Sequence, residues 1–279
     1  MSTHEEQFGA LGFTWDWDPA WGSVPEAGNG RLYSFEEATP RYVHNITAAN
    51  GNPITLPEIH IMQSAMTVGG RRLEDHEEVV NLLKAFGYVR RRSDRDPKGT
   101  QAFTVDRKIV SIIHEIALRH EDADPGKFRG EGHSGVTMTF QVGSAFCPTQ
   151  SDDGGEELRQ EFAVAREFLN AMVDPIEKAL AYYCLGVRNR FFLDGNKRAA
   201  LLTANGLLLQ AGRAVVTVEP SGLTALNEII REFLYEGDAT PVMAALAAHI
   251  DTESSGKGRT LQKQRAARRA KALLAREGA

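Results

Sequence analysis

The residues most able to do chemistry lie close together at positions 190–198, which read RFFLDGNKR. Asp194 and Gly195 stand just before an apolar run, AALLTANGLLLQ, that is typical of a buried helix. The first turn of a helix offers free backbone N–H groups and partial positive charge, and glycine lets an anion approach the backbone closely. Lys197 and Arg198 add full positive charges. The stretch therefore predicts an anion site suited to a phosphate.

Asp194 has two interpretations at this position. Its carboxylate can cap the helix by accepting a backbone N–H. It can instead hold Mg²⁺ beside a phosphate, because Mg²⁺ prefers one or two carboxylates together with phosphate oxygens. The spacing alone leaves both interpretations open.

The elements that must position this stretch are mainly helices. Apolar residues recur at helical spacing in several segments: 56–89, 104–120 (with Thr104 as the expected cap), 156–187 (with a break at Asp174–Pro175), 196–210, 221–234 and 241–250. One short segment, VTMTFQV at 136–142, alternates and predicts a strand or hairpin. Helices and strands do not alternate along the chain. The predicted fold class is therefore mainly α with one small β element.

The two ends of the chain differ from this helical body. Residues 1–54 show no sustained period and are predicted to form an aromatic-rich arm. Its tryptophans, Trp15, Trp17 and Trp21, are expected to pack on the protein's own body rather than on a partner. Residues 252–279 hold eight Lys and Arg residues against two Glu, in a chain whose net charge is −5. This tail is either a solvated terminus or a basic surface for nucleic acid.

The composition is that of a soluble globular protein, with 42% hydrophobic and 25% charged residues. No apolar run approaches the ~20 residues that a membrane-spanning helix needs. The N-terminus lacks the order of a secretory signal, and two cysteines give neither a disulfide framework nor a metal-site spacing. These features predict a cytoplasmic protein without a membrane span.

The motif resembles the signature of Fic (Fido-fold) proteins, His-x-Phe-x-(Asp/Glu)-Gly-Asn-(Gly/Lys)-Arg. The matching residues are Phe192, Asp194, Gly195, Asn196, Lys197 and Arg198. PGKFRG at 125–130 resembles the segment before the flap of that fold, and LEDHEEVVNLLKAF at 73–86 resembles a preceding helix. The resemblance assigns residues 55–251 to a Fido domain, a helical bundle with a β-hairpin flap.

The resemblance implies transfer of a phosphate-containing group, most often AMP from ATP, onto a hydroxyl. Asp194 would hold the Mg²⁺ ion, and Phe192 would lie in the core. The nucleotide would contact Gly195, Asn196, Lys197 and Arg198. Asp194, Asn196 and Arg198 also count as catalytic. Residues 136–142 would form the flap that holds a protein target or a phosphate-bearing small molecule.

The chain departs from the signature at its first position. Arg190 stands where the histidine general base belongs, and arginine does not lose its proton near neutral pH. General-base catalysis typically contributes about 10²–10⁴-fold to a rate. The usual reaction is therefore expected to be slow.

A second departure concerns inhibition. Many Fic proteins carry an inhibitory helix with the pattern (Ser/Thr)-x-x-x-Glu-(Gly/Asn), whose glutamate pairs with a second motif arginine. The nearest match is SAMTVG at 64–69, where Val68 replaces the glutamate, and Leu201 stands in place of the arginine. The general base, the inhibitory glutamate and its partner are thus all absent from the expected positions.

Three explanations remain open. Arg190 can act as an electrostatic catalytic residue, with another base such as His133 or with none. Alternatively, the fold is kept as a nucleotide-binding regulator without catalysis. Thirdly, the site performs a different reaction on a phosphate-bearing small molecule.

Overall fold

A computed structural model of the chain describes residues 2–22, 31–94, 102–132, 141–142, 145–146 and 154–250. Its helices are α1 (His4–Leu11), α2 (Pro19–Gly22), α3 (Arg31–Ala49), α4 (Leu56–Gln63), α5 (Leu73–Ser93), α6 (Arg107–Ala117), α7 (Glu156–Ala171), α8 (Pro175–Asn189), α9 (Asn196–Gln210), α10 (Leu223–Glu236) and α11 (Thr240–Ala248). The predicted mainly α architecture is confirmed.

A small antiparallel ladder joins β1 (Gln141–Val142) to β2 (Ala145–Phe146), with Gln141 opposite Phe146. Most of the predicted strand at 136–142 falls outside the described residues. The flap and its role in holding a target therefore stay predictions.

Helices α8 and α9 form the centre of the fold. Both are buried around most of their circumference, as expected for helices surrounded by others rather than lying at the surface. Gly186 permits their close packing, because a Cβ at this position would lie 2.8 Å from the Cβ of Ala200. Helices α5 and α6 pack against α9 from the other side. The loop between α8 and α9, which holds the motif, is thus fixed at both ends by the core.

Helix α3 occupies a region for which the sequence predicted no regular period. Pro40 lies inside it and cannot donate a backbone hydrogen bond to the carbonyl of Glu36. The side chain of Gln63 on α4 donates to that carbonyl instead, at 3.4 Å. Because α3 packs on α5, much of the expected arm at 1–54 belongs to the same core as the rest of the chain.

The tryptophan segment packs on the body, as predicted. Trp15 is buried, and its indole N–H donates to Oε1 of Glu177 on α8 at 3.0 Å. Trp17 and Trp21 pack edge to face with ring centroids 5.3 Å apart. These contacts connect the N-terminal segment to the central helix α8.

The replacement Glu177→Gln is expected to stabilise the protein at neutral pH. Burial raises the pKa of Glu177 above its ordinary value of 4.5, and the Trp15 hydrogen bond only partly opposes this. The folded state then binds this proton more tightly than the unfolded state, so the group loses stabilising effect as pH rises from about 4.5. Glutamine keeps an acceptor for Trp15 without the charge.

Urea unfolding between pH 4.5 and pH 8 measures this effect. The variant's advantage over wild type should grow as the pH rises above about 4.5 and then level off once Glu177 is ionised in the folded protein. Glu167→Gln, at an exposed position on α7, serves as the control and should show no such trend. An advantage that is independent of pH would contradict the interpretation.

Among the described residues, no helix has the length and apolarity to cross a membrane. The predicted basic tail at 252–279 lies outside the described residues. Its interaction with nucleic acid stays a prediction.

Candidate active site

The motif loop begins at the end of α8, where Arg190 adopts a left-handed backbone conformation with φ 48° and ψ 60°. Arg129, from the PGKFRG segment, is 1% exposed and holds this turn. Its Nε donates to the carbonyl of Arg190 at 2.6 Å, and its Nη2 donates to that of Asn189 at 3.2 Å. Its backbone N–H donates to the carbonyl of Phe191 at 2.8 Å. A buried guanidinium thus satisfies the carbonyls that α8 leaves open at its C-terminus.

Asn196 closes the other end of the loop. Its Nδ2 donates to the carbonyl of Phe192 at 2.8 Å, and its Oδ1 accepts the N–H of the same residue at 2.9 Å. Both bonds are buried. Asn196 therefore fixes the loop from within, and Phe192 lies in the core, where the resemblance placed it.

His114 on α6 supports the loop from below. Its ring stacks on Phe192 with centroids 3.7 Å apart. Nδ1 accepts the backbone N–H of Gly126 at 2.9 Å, so the proton is assigned to Nε2, which donates to the carbonyl of Asp194 at 2.9 Å. Burial lowers the pKa of His114 to about 4, so the ring is neutral near pH 7.

The N-terminus of α9 begins at two buried residues, Gly195 and Asn196, which the exposed Lys197 follows. Gly195 has φ 64°, and a Cβ there would lie 2.5 Å from Cδ2 of Leu118, so this turn requires glycine. Among the described residues no side chain caps α9. The Asp194 carboxylate is 72% exposed and accepts no N–H from the first turn, so the helix-cap interpretation is wrong. The helix start is thus available to an anion.

Lys197 and Arg198 bring positive charge to the same end of α9. The Lys197 amine donates to Oδ1 of Asn227 at 2.7 Å. Although Lys197 is exposed as a residue, partial burial of its amine lowers the pKa, and the Arg190 cation lowers it further. Arg198 lies among carboxylates: Nη1 is 2.6 Å from Oε2 of Glu121.

Two neighbouring cavities meet at these cations. The polar cavity, of about 560 Å³, is lined by Arg190 and residues 194–198 of the motif together with groups from other elements: Asn50, Glu78, Glu121, Val187, Asn227, Ile230, Arg231 and Leu234. The apolar cavity, of about 260 Å³, shares Asn50, Lys197, Arg198 and Asn227 with it. The site residues predicted from the sequence are therefore brought together around one opening.

Sequence reasoning missed the residues that complete the polar cavity from distant parts of the chain. They include Asn50 after α3, Glu78 on α5, Glu121 after α6, and Asn227 and Arg231 on α10. Asn50 Nδ2 donates to Oε1 of Glu78 at 2.7 Å, and Glu78 Oε1 lies 3.5 Å from Arg198 Nη1. Their spacing in the sequence carries no signal, because only the packing of α3, α5, α6, α9 and α10 makes them neighbours.

The segment expected to match an inhibitory helix does not form one. Helix α4 ends at Gln63, and Ser64–Gly69 continues as turns, with Ala65 at φ 60°. Val68 packs against the core. Asn50 reaches the surroundings of Arg198 from the N-terminal part of the chain and lines the polar cavity. His133, the suggested replacement base, lies outside the described residues.

The residues present fit a single Mg²⁺ ion held jointly with phosphate. The exposed Asp194 carboxylate borders the polar cavity and accepts no backbone N–H from α9. No group of three or more His, Cys, Asp or Glu side chains suited to a metal occurs among the described residues. One carboxylate plus phosphate oxygens and water is a common set of ligands for Mg²⁺.

Comparison with known proteins agrees with this architecture. The fold is similar to that of Fic-1 (residues 134–508) from C. elegans, with a TM-score of 0.65 and 19% identity over 88% of this chain and 69% of that chain. It is also similar to a Fic domain-containing signalling protein from Bacteroides thetaiotaomicron, with a TM-score of 0.60 and 15% identity over 94% and 95% of the two chains. The fold and the motif loop together define a Fic-type helical domain.

The sequence comparison points to the same family. Residues 104–208 match the Fic/DOC family. "Protein adenylyltransferase Fic" of Drosophila willistoni is 24% identical over 227 residues, which are 81% of this chain and 43% of that protein. The Drosophila grimshawi protein of the same name is 25% identical over 227 residues, 81% of this chain and 44% of that protein. The chain thus spans less than half the length of these relatives.

Proposed function

We propose that this protein transfers a phosphate-containing group, AMP from ATP, onto a hydroxyl of a target protein. The observation that carries the proposal is the open N-terminus of α9, with Lys197 and Arg198 beside it and the polar cavity in front. Backbone N–H groups, the helix dipole and the cations all favour phosphate at this point. The relatives named protein adenylyltransferase support AMP as the transferred group.

The pair of cavities supports a nucleotide as the donor. Phosphates match the polar cavity, and a flat apolar group attached to them matches the adjoining apolar cavity. Asp194 would hold Mg²⁺, which when bound neutralises phosphate charge. Gly195 and Asn196 shape the loop around the anion, and Arg198 offers a two-pronged donor for phosphate oxygens.

Arg190 supplies charge in this proposal. Its guanidinium cannot take a proton from the attacking hydroxyl. It lines the polar cavity and can stabilise negative charge on the transferred or leaving phosphate. The competing function is that of a regulator, which would bind a nucleotide through the same cations but would not transfer any part of it.

Replacing Arg198 with alanine is expected to weaken ATP binding by about 10–100-fold, since a charge-assisted hydrogen bond contributes ~1.5–3 kcal/mol. The loss also leaves Glu78 and Glu121 facing the phosphates without a cation between them. Calorimetric titration with ATP and Mg²⁺ measures the affinity. Arg119→Ala, at an exposed position, is the matched control.

Equal ATP affinity in wild type and Arg198→Ala would show that the phosphate site lies elsewhere. A second assay separates the two functions. ATP labelled on the α-phosphate should yield labelled protein or released pyrophosphate if the protein is a transferase. Tight binding without either product would support the regulator.

A further inference from the structure

The proposed transfer leaves one chemical role without a residue, that of the group which accepts the hydroxyl proton. Rings and amines that are protonated near pH 7 cannot accept it. The described walls of the polar cavity hold the cations Arg190, Lys197, Arg198 and Arg231 and the carboxylates Glu78, Glu121 and Asp194. Among the described groups of this cavity, these three carboxylates are the candidates for the proton acceptor.

Glu78 is unsuited because both of its oxygens already accept hydrogen bonds. Oε1 accepts from Asn50 at 2.7 Å and lies 3.5 Å from Arg198, and Oε2 accepts from Asn52 at 2.8 Å. Neither oxygen of Glu78 is therefore free to accept a proton from a hydroxyl in the cavity. Asp194, at 72% exposure, is well solvated and is the residue that would face Mg²⁺.

Glu121 differs from both. It lies in the loop after α6, and its side chain is 26% exposed at the wall of the polar cavity. Oε2 accepts from Arg198 Nη1 at 2.6 Å, whereas Oε1 accepts no hydrogen bond from the described residues. One oxygen is thus available to a ligand in the cavity. Burial raises the pKa of Glu121, Arg198 opposes the shift, and Glu78 and Asp194 add to it.

We propose that Glu121 is the general base of the transfer and that Arg198 restrains it until a donor nucleotide binds. The inference rests on the proposed function. The acceptor hydroxyl oxygen forms a bond to the α-phosphorus of ATP while its proton passes to Oε1 of Glu121. The bond from the α-phosphorus to the bridging oxygen breaks, and pyrophosphate leaves with that electron pair.

Arg198 connects donor binding to the basicity of Glu121. The same guanidinium that holds Oε2 of Glu121 is the one placed to contact the phosphates. When it turns to the phosphates, Glu121 loses the only contact that lowers its pKa among the groups that act on it. The half-buried carboxylate then keeps Glu78 of α5 as a like-charged neighbour, which favours proton uptake, whereas the charge of Asp194 would be offset by Mg²⁺ in that state.

The test compares Glu121→Gln with wild type by pyrophosphate release from ATP and Mg²⁺, which records transfer to any acceptor, water included. Glutamine keeps an oxygen for Arg198 but cannot take a proton. The rate constant at saturating ATP should fall about 10²–10⁴-fold, with ATP affinity within a few-fold of wild type. Glu115→Gln, exposed on α6, is the control.

Two further readouts distinguish a base from a merely structural residue. The wild-type rate should rise with pH through the Glu121 titration and then level off, and Glu121→Gln should lack this rise. In an Arg190→His background, which supplies a histidine at the motif, Glu121→Gln should cost much less than in wild type. That non-additivity is expected only if both residues do the same task.

The outcomes separate this inference from the function on which it rests. Wild-type turnover that survives in Glu121→Gln would overturn the base assignment alone. Loss of ATP binding in the variant would show a binding role instead. ATP binding by wild type with no pyrophosphate release at any pH would overturn both the transferase and its base.

Discussion

In a Glu121→Gln background, Arg190→His should raise the rate of AMP transfer by about 10²-fold or more, because a correctly placed general base contributes ~10²–10⁴-fold where no other base acts. The backbone at this position favours the experiment. Arg190 has φ 48°, a conformation that histidine adopts more readily than most residues. The carbonyls of Asn189 and Arg190 stay bound to Arg129 whatever the side chain is. The backbone of the turn is therefore fixed by Arg129 and does not depend on the side chain at position 190.

Transfer of α-phosphate label from ATP to protein, together with pyrophosphate release, measures the gain. Arg190→Gln is the matched control, since it removes the charge without adding a base. Both substitutions remove the Arg190 charge, which together with burial lowers the pKa of Lys197, so the control also accounts for any effect through Lys197. A histidine variant that is folded and binds ATP but transfers no faster than Arg190→Gln would show that this site no longer runs the usual Fic reaction.

Asn196→Ala is expected to damage both stability and the site. It removes two buried hydrogen bonds and leaves the N–H and carbonyl of Phe192 without partners. Each unsatisfied buried group costs about 1–3 kcal/mol, so the free energy of unfolding should fall by roughly 2–6 kcal/mol. The loop at Asp194–Gly195 also loses its internal tie, and ATP affinity should fall by about 10-fold or more.

Thermal unfolding and ATP titration measure the two effects separately. Asn205→Ala is a matched control, because Asn205 makes the same pair of bonds to the backbone of Val216, at 3.0 and 2.9 Å. It should lose similar stability. Because Asn205 lines the apolar cavity and not the polar one, pyrophosphate is titrated into both variants beside ATP, and Asn205→Ala should keep its affinity for pyrophosphate. If Asn196→Ala binds ATP as wild type does, Asn196 holds the loop without shaping the anion site.

Much of the helical body was predictable because amphipathic spacing and breaks are local properties. Asp174–Pro175 was expected to separate two helices, and α7 and α8 meet there. The expected cap at Thr104 was wrong. The cap is Asp106, which lies two residues further along the chain and accepts the N–H groups of Lys108 and Ile109, so α6 begins at Arg107. Helix α3 was not predicted because Pro40 removes one backbone N–H donor from its middle. The carbonyl of Glu36 that this leaves open is bound by Gln63, which belongs to another helix.

The residues of the candidate site also fall into a group that the sequence could predict and a group that it could not. The motif residues were predictable because a helix N-terminus gathers neighbours in sequence into one anion site. Glu121, Glu78 and Asn50 were not, because they come from separate elements and have meaning only beside Arg198. The supporting role of His114 was hidden for a similar reason: in sequence it is one polar residue on an otherwise apolar face.

The loop between α8 and α9 is tied by Arg129, His114 and Asn196, which belong to three different parts of the chain. Its conformational entropy is therefore lost when the protein folds rather than when a ligand arrives. A phosphate meets a surface that is already arranged, and little of its binding energy goes into ordering the backbone. Local opening of this loop requires the core around α8 and α9 to open as well, so the lifetime of the anion site is that of the fold itself.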